Sequence, residues 1–424
     1  MRFLAASHAV FHSFPRRHTE TYRVDDSAGA GYVGRMAEPV YVIGAGRTDF
    51  KRNFKKEGKT LRHVIFESAC AALTDAGIEP GDVEAGIVGN FAGGLFTRQE
   101  HLGAFLSEAI GTGRPTMHVE AACASGAVAV LTGAQQIMGG LRDVVLIVGA
   151  EQQKTMPPSD GADVLGAAAD FHAEKPPYGD FMFPKLFANI AQVYMKRYGL
   201  TEKQLALVPT KNYAHAKFNP LAQMRDATFP PAEDPVIAVP LTASHCSQIT
   251  DGGAAVVLCS EKFLKDIAGS SPPRPVVSLL GYGHTTDFLP LDKKDVPDFP
   301  VARLAAEQAY AMAGFTPRDI KGADVHDCFS ISEIVAYELL GFAQPGQGAQ
   351  LLEKGSASFV NPGGGLIGDG HPVGATGVRQ VVEAYMHLTE RAGERQIADC
   401  DRYLTFNIGG TYTTNICMIW GNEE

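Results

Sequence analysis

One short pattern occurs twice at a fixed spacing and limits the chain to a duplicated architecture. Ala76-Gly77, Pro80 and Asp82 return 237 residues later as Ala313-Gly314, Pro317 and Asp319. Each copy follows a helix-patterned stretch, residues 64–76 and about 302–313. Each precedes a short strand, residues 86–88 and a strand ending at Val325. A strand-like run opens each copy, Val40-Tyr41-Val42-Ile43-Gly44 in the first and residues 276–280 in the second. Further on, Cys123-Ala124-Ser125-Gly126 opens a helix leading to a strand at 144–148. Gly374-Ala375-Thr376-Gly377 opens one leading to a strand at 403–408. This alternation predicts an α/β fold of largely parallel sheets covered by helices, with ligands at the carboxyl ends of the strands. Two such halves packed face to face would place Cys123 and His371 near one pseudo-twofold axis.

A chain of 424 residues exceeds the size at which one hydrophobic core stops growing. The expected divisions are a presequence or tail at 1–36, an N-terminal half at 37–272 and a C-terminal half at 273–424. Residues 151–245 form an insertion before the segment 250–258 that closes the first half. Pro157-Pro158 and Pro176-Pro177 give the insertion an irregular composition, and Thr201 with Gln204 reads as a capping box at a helix start. From Lys185 to Arg225, seven basic residues (also Lys196, Arg197, Lys203, Lys211 and Lys217) meet a single acid, Glu202. Such an island suits a phosphate-bearing ligand or, equally, a solvated helical face.

The formal net charge of −10 argues against a general nucleic-acid binder, whose footprint would be basic. Seven cysteines without a C-x-x-C pair suit free thiols in a reducing compartment. No apolar run is long enough to span a bilayer, since Gln135, Gln136, Arg142 and Asp143 interrupt the longest candidates. Residues 1–19 carry Arg2, Arg16 and Arg17 and no acid, as a mitochondrial presequence does. The C-terminal Gly421-Asn422-Glu423-Glu424 is not the S-K-L peroxisomal address, so mitochondrial placement is expected over peroxisomal.

Three reactive sets stand out. Cys123 lies at a predicted helix start, where unpaired N–H groups and the helix dipole favour a thiolate near neutral pH. The C-terminal half adds His326-Asp327-Cys328-Phe329 and Gly370-His371-Pro372. His326 with Cys328 could also suggest zinc, but that metal takes closely spaced ligand pairs and a closed tetrahedron, so no metal is expected. Gly363, Gly364 and Gly365 read as a place of close backbone approach, or as a bare turn.

Together, Cys123-Ala124-Ser125, His326-Asp327-Cys328-Phe329 and Gly370-His371-Pro372-Val373-Gly374-Ala375-Thr376-Gly377 resemble the motifs of thiolases, and among them the sterol-carrier-protein thiolases. The resemblance runs from about Val40 to Trp420. It takes in Tyr194-Met195-Lys196-Arg197-Tyr198-Gly199 and His215-Ala216-Lys217-Phe218-Asn219-Pro220 of the insertion. It implies two βαβαβαββ halves in a five-layered αβαβα sandwich with an inserted loop domain. It also implies acyl transfer on CoA thioesters in lipid and fatty-acid metabolism: cleavage of 3-oxoacyl-CoA by CoA, or the reverse Claisen condensation.

Ordinary thiolases end on C-x-G, whereas Asn407-Ile408-Gly409 stands here. The resemblance therefore assigns the acid/base thiol to Cys328. It makes Cys123 the nucleophile and His371 its base, and places His326 and His371 around the thioester oxygen. The backbone N–H groups of Cys123 and Gly409 would hold the acyl-enzyme oxygen. Coenzyme A would be the cosubstrate, its phosphates near the basic island, and the assembly a homodimer or tetramer. A malonyl-type condensing enzyme and a non-catalytic acyl-CoA or lipid binder remain alternatives.

Overall fold

In the computed structural model of the protein, residues 38–268 and 276–422 are described. The expected segment 1–36 and the junction at 272/273 lie outside them. The first half runs β1 (Val40–Arg47), α1 (Leu61–Ala76), β2 (Ala85–Gly89), β3 (Thr116–Val119), α2 (Ser125–Met138) and β4 (Val144–Gln152). An insertion containing α3 (Met182–Tyr198) and α4 (Leu207–Ala216) follows, and then β5 (Asp251–Ser260). The second half repeats the order with β6 (Val277–Thr286), α5 (Pro300–Ala313), β7 (Gly322–Val325), α6 (Ser330–Leu339), α7 (Thr376–Leu388), β8 (Arg402–Gly409) and β9 (Thr414–Gly421). Its counterpart of β3 is reduced to one bridge, Ala323 to Val360.

The repeated motif is a helix stop. Gly77 and Gly314 end α1 and α5 with φ of 58° and 72°, a left-handed turn that glycine adopts without steric cost. The following Pro80–Asp82 and Pro317–Asp319 form matching 3₁₀ turns. Asp82 accepts from the Glu79 amide at 2.9 Å, and Asp319 accepts from that of Thr316 at 2.7 Å. The repeat also reaches the strands. A Cβ on Gly44 would lie 2.5 Å from the Ala76 nitrogen, and one on Gly281, its counterpart, 2.7 Å from that of Ala313. Each outer helix thus packs onto bare strand backbone.

The sheet order is β3-β2-β4-β5-β1-β6-β9-β8-β7. Within each half the strands are parallel except β5 and β9, which run antiparallel to both neighbours. Among the described residues the halves are joined edge to edge by two residue pairs, Tyr41 with Ser278 and Val42 with Val277. Three apolar interfaces define the layers. Val64, Ile65 and Ala72 of α1 cover Ile43, Leu146 and Val257 on one outer face. Ala302, Ala305 and Ala309 of α5 share a core with Leu404, Phe406 and Ile419 on the other. Between them, Val130 and Ala134 of α2 and Val378 and Val382 of α7 share a core with Val42, Ile147, Leu279 and Met418. The result is helix, sheet, helix pair, sheet and helix, with α2 and α7 in contact at the centre. This is the expected αβαβα sandwich.

The insertion is more helical than its prolines suggested. Pro158 takes the first position of a helix, Pro158–Gly166, where its missing N–H costs nothing. The capping box is present, with Thr201 Oγ1 accepting from the Gln204 amide at 3.2 Å, although its helix, Glu202–Leu205, stops before α4 begins.

Candidate active site

Cys123 sits on a strained turn directly before α2. Ala122 holds φ at 51°, a left-handed conformation that a residue with a Cβ adopts only when its surroundings impose it. Ser125 supplies that constraint: its hydroxyl donates to the Ala122 carbonyl at 2.6 Å and accepts from the Ala121 amide at 2.9 Å. The third residue of the C-x-S motif therefore fixes the first. Two backbone amides, those of Gly410 and of Cys123 itself, face the sulfur and favour its thiolate. Gly409 allows the turn to pass closely, since a Cβ there would lie 2.3 Å from the Ala121 carbonyl oxygen and 3.3 Å from the Ala124 nitrogen.

The C-terminal half delivers the other groups from two loops. His326 and His371 stand edge to face with ring centroids 5.0 Å apart. One ring nitrogen of each and the Cys123 sulfur lie within 4.8 Å of one another. The Thr376 hydroxyl donates to the Pro372 carbonyl at 3.0 Å, so at 2.7 Å from His371 Nδ1 it accepts. His371 is thereby held as the Nδ1–H tautomer, with a lone pair on Nε2. His326 Nδ1 meets the side-chain amide nitrogen of Asn407 at 2.8 Å. Cys328 lines the same cavity as Cys123 and His371, and its sulfur lies 3.8 Å from the Ser332 hydroxyl.

Burial governs the protonation states. It pushes the Cys123 thiol up to about 12, against the Gly410 amide that favours the thiolate and with the Glu151 carboxylate adding to the rise. Burial thus works against the thiolate expected at this helix start. Burial, and the Cys123 sulfur beside it, lift the Cys328 thiol well above its ordinary range. Burial and the Arg379 guanidinium push His371 down to about 3. His326 is held well below the usual imidazole range by burial, His371 and Arg379. These shifts favour two thiols and two neutral imidazoles at rest.

Asp327 does not join this set. Its carboxylate accepts from the Leu366 amide at 2.6 Å and the Asn212 side chain at 2.7 Å. The close approach expected at the glycine run is to this carboxylate: a Cβ on Gly365 would lie 2.5 Å from Asp327.

A cavity of about 290 Å³ opens onto Cys123, Cys328 and His371. Its other walls are mostly apolar and come largely from the insertion, including Leu165, Ala168, Phe181, Phe183 and Ile237, with Phe329 beside Cys328. The segment from Cys246 to Ile249 also lines it. That segment is held there by a bridge from Cys246 to Phe329 and by the Ser247 amide donating to the Cys328 carbonyl at 2.9 Å. No sequence pattern marked this segment. Thr376 and Asn407 were within reach, lying inside the quoted motifs.

The basic island does not line this cavity. Lys211 pairs with the buried Glu333 at 2.8 Å, Arg225 with Asp49 at 2.8 Å and Arg197 with Asp298 at 2.9 Å. Lys185 donates to the Tyr178 carbonyl at 2.7 Å, while Lys196, Lys203 and Lys217 are exposed.

Among the described residues, Cys123, His326 and His371 are the ones whose donor types and spacing could hold a metal. A metal-bound histidine, however, donates its second nitrogen to an acceptor, whereas Asn407 donates to His326. The arrangement suits proton transfer and hydrogen bonding to a developing oxyanion.

Residues 40–232 match the family profile Thiolase, N-terminal domain, and residues 284–422 match Thiolase C-terminal domain-like. An acetyl-CoA acetyltransferase of Methanothermobacter thermautotrophicus is 36% identical over 380 residues, 88% of this chain and 96% of that protein. Sterol carrier protein 2 of Bos taurus is 32% identical over 389 residues, 87% of this chain and 70% of that protein. The crystal structure of human mitochondrial 3-ketoacyl-CoA thiolase in complex with CoA shares the fold, with a TM-score of 0.68 at 19% identity over 92% of this chain and 99% of that one. With both halves matched in order and the reactive side chains gathered where the halves meet, the chain belongs to the thiolase family of acyltransferases.

Proposed function

We propose that the protein cleaves 3-oxoacyl-CoA with CoA, or runs the reverse condensation, through an acyl-enzyme on Cys123. The observation that carries this reading is the gathering of the Cys123 sulfur and the His326 and His371 nitrogens within 4.8 Å, on a cavity that Cys328 also lines. Because the thiol is protonated at rest, attack begins with proton transfer from Cys123 to His371 Nε2. The sulfur bonds to the keto carbon, and the adjoining C–C bond breaks with its electron pair on the thioester α-carbon. Cys328 gives that carbon its proton, releasing acetyl-CoA and leaving a thiolate. Incoming CoA returns a proton to Cys328 and attacks the acyl group on Cys123. The shortened acyl-CoA departs, and His371 reprotonates the freed Cys123 sulfur.

The backbone N–H groups of Cys123 and Gly409 would hold the acyl oxygen, a reading supported by the Cys123 and Gly410 amides that face the sulfur. The apolar cavity supports an acyl chain as the group transferred, hence a place in lipid and fatty-acid metabolism. The open edge of β3, with no partner strand among the described residues, supports a homodimer, since unpaired edges tend to be covered. Mitochondrial import through residues 1–36 belongs to the same reading.

Intact-mass spectrometry after incubation with acyl-CoA tests the core of this proposal. One acyl adduct mapped to Cys123 is expected. Turnover of 3-oxoacyl-CoA without such an adduct, or no turnover at any chain length, would refute it. Release of CO₂ from malonyl-CoA would favour the decarboxylating alternative.

A further inference from the structure

Asn407 occupies the end of β8 and bridges two features of the site. Its amide nitrogen lies 2.8 Å from His326 Nδ1. Its oxygen is buried without a hydrogen-bond partner and faces the first turn of α7, where a Cβ on Gly377 would lie 2.6 Å from it. The start of α7 presents the positive end of the helix dipole, which favours an oxygen over an amine. That fixes the amide with its nitrogen toward His326. An amide nitrogen only donates, so His326 Nδ1 accepts.

We propose that Asn407 is a positioning residue that confines neutral His326 to the Nε2–H tautomer and so makes it a hydrogen-bond donor to the thioester oxygen rather than a base. His326 Nε2 is fully buried and has no partner in the structure, as expected of a donor kept for a ligand. His371, held by Thr376, carries the opposite tautomer. Two adjacent imidazoles thus receive different tasks: His371 takes the proton of Cys123, and His326 stabilises the enolate that forms when the C–C bond breaks. The residue that replaces the thiol of C-x-G therefore has work of its own. This inference rests on the acyl-transfer reading of the site.

Two measurements test it. In protein carrying ¹⁵N-histidine, with His326 assigned from the spectrum of His326→Gln, Nδ1 should resonate as an unprotonated nitrogen and Nε2 as a protonated one. The reverse pattern overturns the proposal, and this arm needs no Asn407 variant. In Asn407→Asp the carboxylate can only accept, so the proton should move to Nδ1. Exchange of the acetyl-CoA α-protons with D₂O, which requires the enolate, should then fall about 100-fold, the scale of losing one oxyanion donor. Acylation of Cys123 by a simple acyl-CoA needs no enolate, so its loss should be clearly smaller than the loss in exchange. Unchanged α-proton exchange would overturn the proposal. Failure of the parent protein to acylate Cys123 would instead sink the acyl-transfer reading, and with it the donor role, while the nitrogen spectrum would still decide whether Asn407 sets the tautomer.

Discussion

Gly126 and Gly377, equivalent residues of the two halves, meet backbone to backbone where α2 and α7 begin: a Cβ on Gly126 would lie 3.0 Å from the Gly377 nitrogen and 2.8 Å from the Gly374 carbonyl oxygen. This contact seats Cys123 beside the loop that carries His371. Gly126→Ala should cost about 2–3 kcal/mol or more, because the atoms it meets are backbone and cannot rotate away. Gly81→Ala, which meets nothing within 4 Å, should be close to neutral. Urea unfolding of the two variants checks the pair, and equal midpoints would show that the seam tolerates the extra methyl.

The two cysteines should separate by half-reaction. Cys123→Ala should abolish acyl transfer from every acyl-CoA. Cys328→Ala should still acylate Cys123 with a simple acyl-CoA, yet lose about 10²–10⁴-fold in cleavage of 3-oxoacyl-CoA, the range for removing a general acid. Mass spectrometry and steady-state rates report the two effects independently. A Cys328→Ala enzyme with parental cleavage would remove that thiol from the mechanism.

Much of this arrangement was legible because the duplication is written in residues with strict backbone demands. Gly77 and Gly314 stop helices, and Asp82 and Asp319 close the same turn. Gly44 and Gly281 continue the repeat at the same spacing and could have extended it. The reactive side chains were readable as motifs, but their protonation was not. A helix start is visible in a sequence, whereas the burial that lifts Cys123 is a property of the whole fold. The segment from Cys246 to Ile249 escaped for a similar reason: it reaches the site through pairing with Phe329 and carries no pattern of its own.

Alkylation of Cys123 should report its resting proton. With the thiol pushed up to about 12 and His371 down to about 3, the proton stays on sulfur at neutral pH. The thiolate fraction then rises about tenfold per pH unit below the thiol's pKa. Iodoacetamide modification of the free enzyme, mapped to Cys123, should climb steadily between roughly pH 6 and pH 9. A plateau in that window would indicate a preformed thiolate–imidazolium pair.

Chain-length preference should respond to the walls supplied by the insertion. Ala168 lines the cavity beside Phe183 and is buried, so Ala168→Phe would fill space that an acyl chain needs. The loss in kcat/KM should grow with chain length and be smallest for acetoacetyl-CoA. Each methylene denied a place costs about 0.8 kcal/mol of burial, so several carbons would separate long from short substrates by more than tenfold. Equal losses at all lengths would place the acyl chain elsewhere.

A buried ion pair clamps β1 to the histidine loop. Arg47 donates twice to Asp369 at 2.6 Å, and both side chains are essentially buried, at 5% and 0% exposure. Asp369 lies two residues before His371, with Gly370 between them at φ 119°, so the pair ties the first half to the loop that presents the base. Arg379, also buried, sits 3.6 Å from Asp369 and 2.9 Å from Asp324. Asp369→Asn would keep the shape but leave two guanidinium groups short of one carboxylate in a dry interior. Breaking a buried pair this way costs about 3–5 kcal/mol, because the surviving charge stays desolvated. The exposed pair of Lys51 with Asp226, at 50% and 69% exposure, provides the contrast: Asp226→Asn should change stability by less than about 1 kcal/mol. Denaturant midpoints of the two variants decide the matter. If Asp369→Asn unfolds no earlier than Asp226→Asn, the loop is held by its backbone contacts and the clamp is dispensable.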